Sequence, residues 1–209
     1  MSFRRKAPDP ARLFDGGKAA YGSGDFAGAV RYFTRVIELE PDLPPAYYER
    51  GLAYARSGRL IEAAADFEKA AELGRIVDRR KRGPQSQEQL VRAEYNCALT
   101  YEKLAQHRRA LEHYDLALQL QPELSEAWCN RGNVLLQLGE FERAAESHTK
   151  AIGLDPGDYN AYLGRAIACK ELGRVDEVVP DLREYLRLVP PGHPQIEIAR
   201  STLALYDAL

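Results

Sequence analysis

One small residue recurs down the chain at a fixed interval: Ala29, Ala63, Ala110 and Ala144, with Val178 in the same slot. Pro41, Pro122, Pro156 and Pro190 follow twelve residues behind four of these five. The steps between the small residues are 34, 47, 34 and 34, which describes an array of 34-residue repeats with 13 extra residues between the second and third. A repeat this short cannot bury its apolar face alone and must stack on its neighbours. The function of such a stack is expected on its long surface.

Five repeats align as residues 10–43, 44–77, 91–124, 125–158 and 159–192. Position 4 is bulky in four of them (Leu13, Tyr47, Trp128, Tyr162) and position 8 is small in all (Gly17, Gly51, Ala98, Gly132, Ala166). Position 15 is glycine in four (Gly24, Gly58, Gly139, Gly173), the residue that tolerates positive φ just past a helix end. Position 24 is bulky again (Phe33, Phe67, Tyr114, His148, Leu182), and position 30 is always leucine (Leu39, Leu73, Leu120, Leu154, Leu188). These spacings place one apolar stripe on each of two helices per repeat, with a proline at position 32 to end the second. Small residues at positions 8 and 20 let the two helices approach closely where they cross.

The pattern resembles the tetratricopeptide repeat, whose period is also 34 residues. Trp128-Cys129-Asn130-Arg131-Gly132-Asn133, then Leu138-Gly139, then Ala151-Ile152-Gly153-Leu154-Asp155-Pro156 carry the likeness best. It extends over residues 10–192, with departures: Arg75 stands in the proline slot of repeat two, and repeat three has Glu94 at position 4 and Ala105 at position 15. The resemblance implies an all-α fold, a right-handed superhelical solenoid of antiparallel helix pairs with the first helix of each pair lining a concave groove. Residues 193–209 read as a C-terminal capping helix whose stripe is Ile196, Ala199, Leu203 and Tyr206. The domain reading is therefore a flexible arm over 1–9, repeats over 10–77, a basic insertion over 78–90, repeats over 91–192 and the cap.

Composition narrows the function classes. Twenty-nine basic against 31 acidic residues leave a net charge of −2, so the chain as a whole has no bias toward nucleic acid or anionic lipid. Met1 to Lys6 lack the apolar core of a signal peptide and no later stretch is long and apolar enough to cross a membrane, which points to a cytoplasmic protein without membrane insertion. Cys97, Cys129 and Cys169 form no CxxC pair and suit buried thiols. His107, His113, His148 and His193 lack metal-ligand spacing, and His148 falls in a core slot. Gly22 to Gly28 lie between two helices rather than after a strand, so they read as an interhelical turn and not a phosphate loop. No catalytic residue, metal site or cofactor is expected, and the chain reads as a non-enzyme.

The resemblance places partner-binding residues at positions 2, 5, 6, 9, 12 and 13. Tyr48, Leu52, Tyr95 and Leu99 then offer apolar area with tyrosine hydroxyls to orient a ligand. Asn96 and Asn130 at position 6, with Asn133 a turn further on, would each hold one peptide unit of an extended partner. The ladder stops at two rungs because Asp15, Glu49 and Gly164 occupy the other repeats. Arg92, Lys103 and Lys170 would recruit acidic flanks. The carboxylate clamp of chaperone-binding family members is matched at one place of five, since Tyr48, Leu52, Asn96, Glu126 and Asn130 fill its slots. The leading expectation is an adaptor that holds a peptide or helix of another protein in this groove.

Two alternatives remain. Ile198, Leu205 and Leu209 lie off the stripe of the capping helix and suit a self-assembling scaffold or homo-oligomer, unless that stripe is wider. Arg79, Arg80, Lys81 and Arg82 form the densest basic run and suit phosphates or a nucleic acid. Ser86 with Gln89 three residues on reads as a capping box opening a lengthened first helix in repeat three. Gly16, Gly17 and Gly28 predict a weakly held first repeat.

Overall fold

A computed structural model describes residues 9–81 and 83–207, with backbone only for 78–81 and 207. Among them are eleven helices and no strand. In chain order they are α1 (Pro10–Gly22), α2 (Phe26–Leu39), α3 (Pro44–Arg56), α4 (Leu60–Lys81), α5 (Pro84–Lys103), α6 (His107–Leu120), α7 (Ser125–Gln137), α8 (Phe141–Leu154), α9 (Tyr159–Glu171) and α10 (Val175–Leu188), with α1–α2, α3–α4, α7–α8 and α9–α10 packed as pairs. The capping helix is α11 (Ile196–Asp207). The described residues form two compact units that meet in sequence between Gln106 and His107.

The punctuation acts as its chemistry requires. Gly24, Gly58, Gly139 and Gly173 hold φ between 72° and 83° at the turn inside a pair. Ala105 takes the same turn at φ 56°, a left-handed conformation that costs a side-chain-bearing residue about 1 kcal/mol. Asp25 caps α2 by accepting from the Gly28 N–H at 2.8 Å, and Asp9 and Asp158 cap α1 and α9 in the same manner.

In the first unit each helix packs on the next, from α1 to α5, and α3 also touches α1 and α5. The position-8 glycines are places of close approach. A Cβ on Gly17 would stand 2.6 Å from the Phe33 ring, and one on Gly51 would stand 2.9 Å from the Phe67 ring. Of the three helix-interior glycines of the first repeat, Gly17 is the one that admits its core, where Ala29, Phe33 and Ala53 are buried with Phe14 edge-on to Phe33 at 5.4 Å.

The 13 extra residues lengthen two helices. With Arg75 in place of the proline, α4 runs on to Lys81, and residues 84–90 open α5 ahead of the repeat's own start. Ser86 does not sit at the N-cap. That position is Gly83, Pro84 begins the helix where no N–H partner is needed, and Ser86 at the third helical position turns its Oγ back to the Gly83 N–H at 3.3 Å. The two departures from the repeat pattern meet each other: Arg75 donates to the carboxylate of Glu94, which is buried.

In the second unit α6 packs on α7, α7 on α8 and α9, α8 on α9, α9 on α10 and α10 on α11. His148 lies wholly inside, against Gly132 of α7 and Gly164 of α9, where added Cβ atoms would approach its ring to 2.6 and 2.3 Å. Leu135, Val178, Leu182 and Tyr185 form the main core, and α11 closes it with Ile196, Ala199, Leu203 and Tyr206, the expected stripe. Ile198 and Leu205 are 67% and 71% exposed, so the stripe is no wider than that. Leu209 lies outside the described residues.

Candidate functional site

The sequence candidates in the first unit lie on α3 and α5. Tyr48, Leu52, Tyr95, Asn96 and Leu99 are half-buried, while Arg92 and Lys103 are exposed. Three of them are joined: the Asn96 amide donates to the Tyr48 hydroxyl at 3.2 Å and to the Arg92 carbonyl at 2.9 Å. Asn96 therefore uses its amide donors inside the protein. The amide that the sequence offered as a donor is already bonded within the fold, with the tyrosine hydroxyl beside it.

Next to this rung lies a cleft of about 110 Å³ between the start of α3, the middle of α4 and the extended start of α5. Pro44, Pro45 and Leu90 supply apolar wall, and Tyr48, Glu49 and Arg92 supply the polar groups. Gly74 of α4 faces Leu90, where a Cβ would make an ordinary van der Waals contact at 3.4 Å. Gln89 and Leu90 belong to the insertion, so the extra residues build one wall. Burial, then the neighbouring Glu49, pushes the Tyr48 hydroxyl above its ordinary pKa. Burial likewise pushes Glu49 up, opposed by the positive charges of Lys18 and Arg92. Glu49 was legible only as a missing rung of the asparagine ladder.

In the second unit Asn130 and Asn133 lie half-buried one turn apart on α7, and Lys170 lies exposed near the end of α9. Lys170 edges a separate, largely apolar cleft of about 140 Å³ formed with Leu163 and Ile167 of α9, Leu182 of α10, and Ile198 and Thr202 of α11. The side chains of Arg79, Arg80 and Lys81 and the whole of Arg82 lie outside the described residues.

A recurring arginine went unread in the sequence. At position 7, Arg50 forks onto Asp66 at 2.7 and 2.8 Å and reaches Thr34 of the preceding repeat at 3.1 Å. Arg165 does the same with Asp181 at 2.8 and 2.7 Å and Thr149 at 3.1 Å. Arg131 reverses the roles, bonding Asp115 of the preceding repeat and Ser147 of its own, both at 2.6 Å. Each guanidinium also lies over the position-4 aromatic, Tyr47, Trp128 or Tyr162. Sixteen-residue spacing either side of an arginine was the available signal.

Residues 14–76, 91–124 and 125–158 each match a family model described as tetratricopeptide repeat. The chain belongs to the tetratricopeptide repeat family. Among curated proteins, this tetratricopeptide protein is 40% identical over 57 residues to Hsp70-Hsp90 organizing protein 2 of Arabidopsis thaliana and 44% over 50 residues to Hsp70-Hsp90 organizing protein 1 of Glycine max. Those stretches are 27% and 24% of the chain and 10% and 9% of the relatives, so the match spans about a tenth of their length. Among solved structures, MamA superposes with a TM-score of 0.74 at 22% identity, covering 85% of this chain and 90% of its own. YrrB, a tetratricopeptide protein with an unusual peptide-binding site, superposes with a TM-score of 0.73 at 20% identity, covering 96% and 92%. At these identities the likeness is one of fold, an all-helical repeat array. No helix among the described residues is long and apolar enough to cross a membrane.

Proposed function

We propose that this protein is a non-enzymatic adaptor that holds an extended segment of another protein along α3 and α5. The observation that carries this reading is the Asn96–Tyr48 bond beside an open cleft, which presents a polar acceptor, a tyrosine and apolar wall together on one face. Tyr48, Leu52, Tyr95 and Leu99 supply the apolar contact, Asn96 fixes the backbone of the ligand, and Arg92 and Lys103 draw acidic flanks to the rim. Asn130, Asn133 and Lys170 offer the same chemistry on the second unit. Two similar proteins are by name organizers of Hsp70 and Hsp90, and YrrB has a peptide-binding site, which supports a protein ligand as the class. The test is capture from the source cell's lysate by the wild type and by a Tyr48→Ala, Tyr95→Ala variant of verified helicity. A protein held by the first and lost by the second supports the groove; equal capture places binding elsewhere. Tyr95→Ala alone is expected to weaken that partner by about 1 kcal/mol or more.

Self-association is the second reading, favoured by the exposure of Ile198 and Leu205 on α11. Light scattering across concentrations decides it, because a chain that stays monomeric at high concentration excludes it.

A further inference from the structure

Glu49 is the acid in the cleft wall, and among the described residues no side chain bonds it. It is half-buried, and among the described residues its carboxylate has no hydrogen-bond or ion-pair partner; Lys18 and Arg92 act on it only through space. Arg92 is engaged at the rim instead, paired with Glu88 at 2.5 Å. A partly desolvated carboxylate without a partner is costly, and a ligand that brings a cation removes that cost.

The rest of the cleft selects among cations. Its volume of about 110 Å³ is well below the roughly 300–1,000 Å³ of pockets for whole small molecules, so it accepts part of one side chain. Pro44, Pro45, Leu90 and Ala93 form an apolar approach suited to a methylene stem, with Glu49 and the Tyr48 oxygen as acceptors. An acidic side chain would face Glu49, and an apolar one would bury it further unpaired. Resting on the groove reading above, we infer that the cleft is a specificity pocket for a lysine or arginine side chain of the bound segment. Glu49 pairs with the cation and the Asn96–Tyr48 rung holds the neighbouring backbone. The 13-residue insertion, by carrying Gln89 and Leu90, is what gives this pair of repeats its pocket.

A display library of random 12-residue peptides, selected on the full chain, tests this. Wild type is expected to enrich peptides with a lysine or arginine at one register position, and replacing that residue by alanine is expected to weaken binding about tenfold or more. Glu49→Gln should lose the preference with unchanged helicity, and Glu49→Lys should move it to aspartate or glutamate at the same position. Enriched peptides without a fixed basic residue, or binding indifferent to Glu49→Gln but lost in Tyr95→Ala, overturn the pocket and leave the groove reading standing. A wild type that enriches no peptide overturns both.

Discussion

His148→Phe is expected to stabilise the protein, and by more at pH 5.0 than at pH 7.5. The imidazole is fully buried, and neither ring nitrogen has a hydrogen-bond partner among the described residues. Each orphaned polar atom costs about 1–3 kcal/mol by comparison with mutational series. Phenylalanine is the residue that fills this slot in the first two repeats, opposite Gly17 and Gly51. The larger ring must still fit between Gly132 and Gly164, which takes back about 1 kcal/mol, so a net gain of about 1–5 kcal/mol is expected at pH 7.5. Burial, and then the charge of Arg165, lowers the histidine pKa from 6.5 to about 4. The unfolded chain therefore binds the proton more tightly than the native state. Stability from this group is intact above pH 6.5 and is lost as the pH falls from 6.5 towards 4. Between pH 7.5 and 5.0 that loss is about 2 kcal/mol, from pKa values of 6.5 unfolded and about 4 folded. Urea unfolding of both proteins at both pH values, followed by circular dichroism, gives the four free energies. A variant less stable than wild type at pH 7.5 refutes the orphaned-nitrogen argument. A difference between the two proteins that does not change with pH refutes the buried neutral imidazole.

Ala105→Gly should raise stability by about 0.5–1 kcal/mol, since the turn holds φ at 56°, while Gly139→Ala should lower it by about 1 kcal/mol; urea midpoints check both. Arg75→Ala should cost about 2–3 kcal/mol by leaving buried Glu94 without that cation, and the pair Arg75→Met, Glu94→Leu should recover most of the loss, which a double-mutant cycle in urea measures. Asp181→Ala should cost about 3 kcal/mol because it strips the forked partner from Arg165, whose side chain is only 22% exposed. The exposed i, i+3 pair Arg200–Glu197 should give less than about 0.5 kcal/mol when cut at Glu197→Ala, and thermal melts of the two variants side by side test that ranking.

Residue spacing alone made the helices, their turns and much of the core legible. Each of those depends on residues a few places apart: glycine or alanine at position 15 for a left-handed turn, leucine at 30 and proline at 32 for the end of a helix, and a small residue at 8 opposite a bulky one at 24. A period repeated five times makes such local rules legible, because every repeat tests the same assignment. The capping stripe of Ile196, Ala199, Leu203 and Tyr206 occurs once and was readable from its helical spacing.

Tertiary structure alone decided which side chains meet. Arg75 and Glu94 each looked like a defect in the repeat until α4 and α5 packed together and made them partners. Asn96 looked like half of a ladder until its amide turned to Tyr48, and Glu49 looked like a gap in that ladder until burial beside the insertion left it facing a cleft. The arginines at position 7 find their acids 16 residues away because a helix, a turn and a second helix fold back over that distance. Burial, charge pairing and the shape of a cleft are properties of atoms brought together from separate helices, and a linear spacing specifies none of them until those helices are packed.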